Sequence, residues 1–348
     1  MTYSFPSIFS QKLSCSVITG SVIKTIYGDF EIQEQVLIDL LNSAAVQRLK
    51  KIRQGGMTDY VFKEIDYSRY DHSVGVLVIL MKFKASLNER IAGLLHDVSH
   101  TAFSHVADVV FNHRDEKESY QDAIHEWYIQ NTDIPEILKR YNISVKEILH
   151  KTNDFKALEQ DLPDLCADRL EYNLHTAYLN GMLTQEDISA ILSDLTFFDG
   201  KWFFNSIEIA TQFASVPLKL NQSYWALEVN LYVYYFAGKL LRRALELNII
   251  THDDFHFKDD YFILEKLDES SDTEIQDLMS KIFNFQDHYK LGSFSDSDLF
   301  LKGKFRGINP LIKCDSEFKR LCDVNNEFKI EFANVKAKLS QGFFFKFL

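Results

Sequence analysis

The sequence predicts a mainly α-helical fold that ends in a small α+β region. Only 5 prolines occur among 348 residues, which favours long uninterrupted helices over a strand-and-turn architecture. Leucine and isoleucine recur at helical spacing through most of the chain up to residue 250. The pattern is less regular after that position. We therefore expect a helical domain over residues 1–250 and a smaller α+β region over residues 251–348.

Turn signals and apolar periodicity predict the elements of the first part of the chain. A hairpin is expected over residues 21–34, around Gly28-Asp29. Residues 35–53 have a helical pattern that ends at Gln54-Gly55-Gly56. Further helices are predicted over residues 71–86, 88–98, 101–112, 117–131 and 133–141.

The second part of the chain is predicted by the same signals. Helices are expected over 144–160 and 161–180, with Pro163 in the first turn of the second. Aromatic residues alternate over 195–207 around Asp199-Gly200, a pair typical of hairpin turns, and helices return over 208–248. The tail is predicted as a polar turn region at 251–262, a helix near 273–283 and strands at 298–313 and 327–334.

The composition is that of a soluble globular enzyme. Hydrophobic residues make up 46% and charged residues 25% of the chain, which are ordinary values. The formal net charge of −12 argues against a general nucleic-acid binder, because phosphate neutralisation needs clustered Lys and Arg. This net charge is compatible with a small phosphorylated substrate, because a bound metal and a few local basic groups can dominate the charge of a pocket.

The cysteines and the apolar runs predict a cytoplasmic protein. The cysteines show no paired spacing, so we interpret them as reduced thiols; they are Cys15, Cys166, Cys314 and Cys322. The N-terminus lacks the basic and apolar regions of a signal peptide. The apolar run 74-VGVLVILM-81 is too short to span a bilayer, so no membrane partner is expected.

Histidine and aspartate are concentrated in two segments that are predicted to be helical. The segments 69-RYDHSVG-75 and 96-HDVSHTAFSH-105 hold 4 of the 11 histidines. His96 and His100 are four residues apart and would share a helix face, while Asp168 follows in an otherwise apolar stretch. A second His-Asp pair, at 252–253, has no supporting sequence pattern.

Imidazoles and carboxylates on helices that face one interior are the ligands of a divalent metal. We therefore predict a metal site formed by His72, His96, Asp97 and Asp168. Taken singly, each residue is more often a surface cap or a salt-bridge partner, but that interpretation must hold for all four at once. The ligand set suits Mn, Fe, Zn, Ni or Mg, and the sequence does not choose among them.

The order His72, His96-Asp97, Asp168 resembles the metal-binding pattern of the HD-domain phosphohydrolase superfamily. The resemblance extends to the branch that contains the deoxynucleoside triphosphate triphosphohydrolases. It covers roughly residues 22–245, and the tail only loosely. The motifs that carry it are 22-VIKTIYGDFEI-32, 45-AVQRLKKIRQGGMTDYVF-62, 69-RYDHSVGV-76, 96-HDVSHTAFSH-105, 168-DRLEY-172 and 302-KGKFRGINPL-311.

The resemblance implies an HD-type helical core and assigns roles to residues beyond the four ligands. His125 would protonate the leaving oxygen or position the attacking water, and Asp108 would orient it. His100 and His105 would contact the phosphate or support the metal ligands, although either could be a core histidine. The positions that line the substrate pocket in the family are matched by Gln54, Arg69, Arg169, Tyr172 and, more weakly, Tyr224. Arg169 could instead pair with Glu159 or Glu171.

Three departures from the triphosphohydrolases concern the substrate. The stretch 213-FASVPLKLNQSYW-225 offers only Lys219 where that branch has several basic residues, and Val216 and Pro217 stand where Arg is expected. Gly55 replaces a bulkier apolar residue, and Asn42 replaces an acidic residue linked to nucleotide activation. Basic residues of the tail could compensate; they are Lys302, Lys304 and Arg306.

These observations predict a metal-dependent hydrolase of a nucleotide or another small phosphate ester, in which metal-activated water attacks phosphorus. Two alternatives stay open. One is an HD-fold oxygenase with two irons, for which His100 and His125 are the only additional ligand candidates. The other is a catalytically weak nucleotide sensor. The resemblance also implies a homodimer or higher homo-oligomer.

Overall fold

The computed structural model describes residues 17–62, 66–111, 119–152, 154–315 and 317–348. Its α-helices are α1 Gln35–Leu41, α2 Ala44–Arg48, α3 Thr58–Val61, α4 Arg69–Lys82, α5 Leu87–Leu95, α6 Val106–Val110, α7 Tyr120–Gln130, α8 Ile134–Arg140, α9 Ala167–Leu179, α10 Gln185–Asp194, α11 Ile207–Leu220, α12 Glu228–Glu246, α13 His252–Phe257, α14 Asp260–Asp268, α15 Thr273–Phe283, α16 Leu321–Val324 and α17 Asn326–Ser340. Its strands are β1 Val17–Thr19, β2 Val22–Thr25, β3 Gly28–Glu31, β4 Leu195–Phe198, β5 Lys201–Phe204, β6 Tyr289–Leu291, β7 Leu299–Leu301, β8 Leu311–Cys314, β9 Glu317–Arg320 and β10 Phe343–Phe347.

Helix α4 lies at the centre of the fold. Every residue from Arg69 to Leu80 is buried, so the helix is covered on all sides. It packs against α5 and α9, the helices that lead to and carry the other predicted metal ligands. The core around α4 continues through α11, where Phe213 and Leu218 are fully buried. A helix buried on all sides can carry polar residues only where they have partners.

A second apolar cluster is built around α12. It includes Tyr232 and Phe236 of α12, Leu278 of α15 and Phe345 of β10. Residues 251–348 therefore contribute much of this cluster, together with Phe103 from the histidine-rich segment.

Three small sheets complete the structure. The first is the antiparallel sheet β1-β2-β3, and the third is β6-β10-β7. The second has the order β4-β5-β8-β9, in which β5 and β8 run parallel. Because β8 belongs to the tail and β5 does not, this sheet joins the two parts of the chain.

Asp260 makes a further connection between the two parts. Its carboxylate accepts hydrogen bonds from the backbone N–H groups of Arg53, at 2.9 Å, and Phe103, at 2.6 Å. Burial raises the pKa of Asp260 to about 7, although these bonds oppose the shift. The division at residue 250 stays a prediction, and residues on both sides of it share one sheet and one apolar cluster.

The mainly helical fold predicted from the sequence is confirmed. The hairpin over 21–34 forms as β2 and β3, with its turn at Ile26-Tyr27 and Gly28 at a φ of 113°. The Asp199-Gly200 turn also forms, and both residues have positive φ, as this hairpin turn requires. The helix predicted near 273–283 is α15.

Several predicted elements differ from the structure. The helix over 35–53 is divided, because Ser43 accepts a hydrogen bond from Val46 N and so starts a new helix. The helix over 144–160 is wrong: Ala157 and Leu158 donate their N–H groups to Glu89 instead of to a helical carbonyl. Residue 153 of that range lies outside the described residues.

The second helix of this region begins later than expected. It starts at Ala167, and Pro163 lies before it, with a cis Leu162-Pro163 peptide bond. In the tail, the polar turn region at 251–262 is α13 and α14, whose first turns are capped by Thr251 and Asp259. The strand at 327–334 is wrong as well, because it lies within α17.

The helix predicted over 101–112 is shorter than expected. Residues 99–105 form turns, and α6 covers only the end of the helix predicted over 101–112. Positive φ angles at Phe103 and Ser104, of 59° and 54°, end the helical path there. Residues 112 and 117–118 of the predicted helices, and Cys15, lie outside the described residues. In the described ranges, every helix is too short or too polar to cross a bilayer.

Candidate metal centre and active site

Three helix termini bring the predicted metal ligands together. Ser68 and Asp71 form a capping box that fixes the first turn of α4, which carries His72. His96 follows directly after the last residue of α5, and Asp168 lies in the first turn of α9. Side chains at helix ends can converge without the main chain of one helix blocking another.

The structure places His72, His96 and Asp168 in one group. The Nε2 atoms of the two imidazoles are 3.2 Å apart. The Oδ1 atom of Asp168 lies 3.0 Å from Nε2 of His72 and 3.6 Å from Nε2 of His96. One ligand atom from each residue lies within 4.8 Å of the other two, as a shared ion requires.

Asp97 stands at the edge of this group because Arg69 engages it. Arg69 Nη1 lies 2.5 Å from Asp97 Oδ2, and both side chains are buried. Asp97 Oδ2 lies 3.5 Å from Nε2 of His72, and Asp97 Oδ1 lies 3.6 Å from Nε2 of His96. Burial alone would raise the pKa of Asp97, but Arg69 and the neighbouring imidazoles hold it well below its usual range. The carboxylate is therefore ionised and available to a cation.

Hydrogen bonds on the far side of each imidazole fix which nitrogen faces the group. His96 Nδ1 lies 2.7 Å from the carbonyl oxygen of Gly93, which can only accept. His72 Nδ1 lies 2.5 Å from the buried carboxylate of Glu171. Both Nδ1 atoms are therefore donors, and both Nε2 atoms carry the lone pair in the neutral imidazole.

The arrangement fits a divalent metal. Two Nε2 lone pairs and a carboxylate oxygen point at one another over about 3 Å, and they repel unless a cation or a proton lies between them. Metal-binding histidines commonly donate the other ring N–H to a carboxylate or a carbonyl, which is the contact that Glu171 and Gly93 provide.

The pKa values of the unmetallated imidazoles agree with a site for positive charge. Burial by itself lowers the pKa of His72, yet Glu171, Asp168 and Asp97 outweigh it and raise the pKa to about 10. The pKa of His96 is also raised, since Asp97 and Asp168 overcome the effect of its burial. The surrounding carboxylates thus favour a cationic occupant.

His100 contacts Asp97 at the edge of the group, and His105 contacts His100. His100 Nε2 lies 3.3 Å from Asp97 Oδ1, and burial lowers the pKa of His100 to about 3. His105 contacts His100 edge-on and pairs through Nδ1 with Asp108 Oδ2 at 3.4 Å. The side chain of His105 is 35% exposed, so this His-Asp pair can be reached from outside.

The expected contact between Asp108 and His125 is not seen among the described residues. Asp108 contacts His105 and accepts the N–H of Tyr120, at 2.8 Å. His125 Nδ1 lies 2.8 Å from the hydroxyl of Ser99, while its Nε2 is buried without a hydrogen-bond partner in the described structure. Burial, together with His150, holds the pKa of His125 well below its usual value. His125 is therefore a neutral imidazole with one unused nitrogen.

Comparisons with known proteins agree with this geometry. The HD domain family model matches residues 69–170, a range that contains all four predicted ligands. YdhJ of Bacillus subtilis, an uncharacterized protein, is 35% identical over 326 residues, which cover 93% of this chain and 98% of YdhJ. The metal-dependent phosphohydrolase cns2 of Cordyceps militaris is 33% identical over 228 residues, which cover 64% of this chain and 65% of cns2.

The chain contains an HD domain and belongs to the same family as YdhJ.

Two more distant similarities are to a sequence relative and to a solved structure. The deoxynucleoside triphosphate triphosphohydrolase SAMHD1 homolog of Dictyostelium discoideum is 30% identical over 118 residues, which cover 30% of this chain and 22% of that protein. A hypothetical protein from Aquifex aeolicus has a structure that superposes with a TM-score of 0.69 at 18% identity, over 88% of this chain and 92% of that chain. The second similarity shows the fold alone.

Arg169 does not extend towards the HD-domain metal group. Its Nη2 atom pairs with Glu159 at 3.3 Å, and its Nη1 atom lies 3.5 Å from Cys166 Sγ and 3.0 Å from the carbonyl oxygen of Asp164. The alternative expected from the sequence, a pair with Glu159, is the one observed. Glu159, Cys166 and Asp168 also have ligand atoms within 4.8 Å of one another, but Arg169 already supplies the cation there.

Gln54 contacts Arg69, and Tyr224 contacts Asp59. Arg69 Nη2 donates to the carbonyl oxygen of Gln54 at 3.3 Å, and the side-chain Oε1 of Gln54 is buried without a partner in the described structure. Tyr224 donates to the buried Asp59 at 2.6 Å, and Asp59 also accepts the N–H of Gly55 at 2.8 Å. A Cβ at Gly55 would lie 2.1 Å from Asp59 Oδ1, so the carboxylate fills the space of the missing side chain.

Tyr172 connects the metal group with the tail. Its ring lies 6.4 Å from the ring of His72 and 5.4 Å from the ring of Trp225. Burial raises the pKa of Tyr172 to about 12, and the Arg306 guanidinium opposes that shift. Arg306 acts in the same way on Tyr234, and its backbone N–H donates to Asn221 at 3.2 Å. Arg306 therefore lies near Tyr172 and Tyr234, within the same chain.

Several residues that support this site were not predicted from the sequence. Glu171 was considered only as a partner of Arg169, although it is fully buried and accepts hydrogen bonds from Tyr27, Tyr67, His72 and His175. Gly93, Asp59 and His150 were not considered. Gly75 of α4 makes room for Glu171, because a Cβ at Gly75 would lie 2.2 Å from Glu171 Oε1.

Proposed function

We propose that this HD-domain protein hydrolyses a phosphate ester of a nucleotide or another small phosphorylated compound. The observation that carries the proposal is the convergence of His72 Nε2, His96 Nε2 and Asp168 Oδ1, with the opposite nitrogen of each imidazole held by an acceptor. Asp97 would complete the ligand set. A divalent metal bound there would polarise a phosphoryl oxygen and make a water molecule more acidic. Mn, Fe, Zn, Ni and Mg are all compatible with two imidazoles and two carboxylates.

Proton transfer would fall to a histidine that is not a metal ligand. His125 is the first candidate, because its Nε2 atom is buried, unpaired and neutral, which suits a group that accepts a proton from water. The His105–Asp108 pair is the second candidate. Asp108 would stabilise the imidazolium of His105, as its lowered pKa of about 2 indicates; burial opposes that shift and His105 outweighs it.

Arg69 would hold the site rather than the substrate. It spans Asp97, the hydroxyl of Ser104 at 3.0 Å and the carbonyl oxygen of Gln54, which uses three of its donor groups on the protein. Its position keeps Asp97 and Gln54 at a fixed separation. Arg169, paired with Glu159, would likewise support the start of α9.

The substrate pocket would lie between Tyr172, Tyr224 and the tail. Arg306, which lies near Tyr172 and Tyr234, would bind a phosphate oxygen there. Lys219, by contrast, is exposed on α11, and Val216 and Pro217 face the core. A pocket with so few cations suits a mono- or diphosphate better than a triphosphate.

A combined metal and substrate screen tests the proposal. The purified protein would be analysed for bound metals and then incubated with nucleoside mono-, di- and triphosphates, with phosphate, pyrophosphate and triphosphate release measured separately. We expect at least one divalent metal to support release of phosphate. Absence of bound metal after purification and after loading, with no release from any substrate, would contradict the proposal.

The two alternatives have less support. An oxygenase with two irons needs ligands beyond the first group, and His100 and His125 do not join it within the described ranges. A nucleotide sensor has no use for the unpaired nitrogen of His125. We retain the homodimer as a proposal from family resemblance, to be checked by light scattering.

A further inference from the structure

A chain of hydrogen bonds leads from His125 to a carboxylate that lies away from the metal group. Ser99 Oγ is fully buried and lies 2.8 Å from His125 Nδ1 and 2.6 Å from Gln121 Oε1. Gln121 Nε2 in turn lies 2.8 Å from Asp122 Oδ1. The three contacts connect His125, Ser99, Gln121 and Asp122 in one line.

The donors and acceptors of this line have one consistent assignment. The carboxylate of Asp122 can only accept, so the amide nitrogen of Gln121 faces it and the amide oxygen faces Ser99. The single hydroxyl proton of Ser99 then goes to Gln121, whose backbone oxygen is a second acceptor at 3.1 Å. Ser99 is left as the acceptor for His125, and His125 must carry its proton on Nδ1.

We propose that Ser99, Gln121 and Asp122 are positioning residues that hold His125 in the tautomer with a free Nε2. A neutral imidazole of this form can accept a proton at Nε2 and cannot donate one from it. His125 would therefore start the reaction as a base and become a donor only after it has taken a proton. This inference rests on the proposed function in one respect, namely that His125 transfers the proton.

The contacts of His150 and Lys151 give independent support for this assignment of donors and acceptors. Its Nε2 atom lies 3.4 Å from Asp122 Oδ1, and Lys151 Nζ lies 3.2 Å from Asp122 Oδ2. The ring of His150 contacts the ring of His125 at 4.7 Å between centroids. Asp122 thus accepts from the Gln121 amide, from His150 and from Lys151 at once, which keeps it ionised and keeps the amide of Gln121 in the assigned orientation.

The tautomer can be measured directly by nitrogen NMR of protein labelled at histidine. Long-range proton–nitrogen spectra distinguish a protonated ring nitrogen from a free one, and the His125→Gln spectrum assigns the signal. We expect Nδ1 of His125 to be protonated and Nε2 to be free in the wild-type protein. In Ser99→Ala, where Nδ1–H loses its acceptor, the signal should move towards the other tautomer. Gln121→Met should cause a smaller change in the same direction and serves as the second variant.

Turnover provides the second readout. Because general bases contribute about 10²–10⁴-fold, a base held in the wrong tautomer should lower kcat by about tenfold or more. KM and metal content should stay near the wild-type values in Ser99→Ala. The matched control is Ser73→Ala, which removes a buried hydroxyl that has no partner in the described structure; both readouts should be unchanged.

Two results would overturn the inference. One is a wild-type His125 protonated on Nε2. The other is a Ser99→Ala protein with the wild-type tautomer and the wild-type kcat. Failure of the proposed function has a different signature: the wild-type protein would release no phosphate from any substrate, while the tautomer of its His125 would still support or refute the positioning role.

Discussion

The Nδ1 atom of His72 lies 2.5 Å from the carboxylate of Glu171, and this contact decides which nitrogen of His72 faces the metal group. Glu171 is fully buried and is also bonded to His175 at 2.9 Å. Burial alone would raise the pKa of Glu171, but His175 and His72 lower it to about 2. The metal group therefore depends on a carboxylate that is not one of its ligands.

The first prediction concerns that carboxylate. Glu171→Gln removes the charge that stabilises His72 as a donor through Nδ1, while it keeps the size of the side chain. Partners of this kind typically change metal affinity by about 10–100-fold, and we expect a loss in that range. Chelator competition measures it. Glu208→Gln, at an exposed glutamate bonded to Ser206, is the control and should bind metal normally.

The second prediction separates the two candidates for proton transfer. His125→Ala should keep its metal and lose about 10²–10⁴-fold in kcat. His105→Ala should lose less, because His105 is partly exposed and lies beyond His100. Steady-state kinetics with metal analysis of both variants checks this. The reverse order of losses would assign proton transfer to the His105–Asp108 pair.

The third prediction concerns the tail. Arg306→Ala should raise KM for the best substrate, since a charge-assisted contact to phosphate contributes about 1.5–3 kcal/mol, equivalent to roughly 10-fold or more. Lys304→Ala is the matched control, because Lys304 is exposed on the same segment. Equal KM values for the two variants would remove Arg306 from the pocket. Efficient release of triphosphate from a dNTP would show that few cations suffice for three phosphates.

The fourth prediction is a pH dependence of stability. Burial lowers the pKa of His150 in the folded protein; Asp122 opposes this shift and His96 adds to it. Below the unfolded pKa of about 6.5 the unfolded chain therefore binds a proton that the folded chain does not, and stability falls. His150→Gln lacks this penalty.

Urea unfolding of both proteins measures the effect. Between about pH 7.5 and about pH 5.5 the wild-type protein should lose up to about 1.4 kcal/mol more of its unfolding free energy than His150→Gln. Parallel pH profiles would mean that folding does not lower the pKa of His150, which would contradict this prediction.

Periodic and turn-forming segments of the fold were predictable from the sequence. Asp199-Gly200 specifies its turn locally, and the apolar stripe of α15 is local as well. The conformation at Ala157 and Leu158 was not predictable, because their backbone N–H groups are held by a distant side chain, Glu89, instead of by a helical pattern. The strand predicted at 327–334 failed because Phe328 and Phe332 fit a strand and a helix equally well, and only the Asn325 cap selects the helix.

The candidate site was also predictable only in part. The spacing of His96 and Asp97, with His72 before them and Asp168 after them, was sufficient to predict the group that the structure brings together. The supporting contacts were not predictable, because Glu171, Ser99 and Gln121 act through hydrogen bonds between different helices. The link between Asp108 and His125 was expected from the family resemblance, and in the structure Asp108 contacts His105 instead.

We propose that the first His-Asp pair of this chain, His96-Asp97, takes part in binding a catalytic metal. The most direct measurement is elemental analysis combined with phosphate release for the wild-type protein, His96→Ala and Asp97→Asn. Asparagine keeps an oxygen for Arg69, so the buried guanidinium retains a partner. The second pair supplies matched controls, His252→Ala and Asp253→Asn, on α13. We expect metal and phosphate release to be lost together at the first pair and kept at the second. Full metal content in His96→Ala and Asp97→Asn would contradict the proposal that this pair binds the metal.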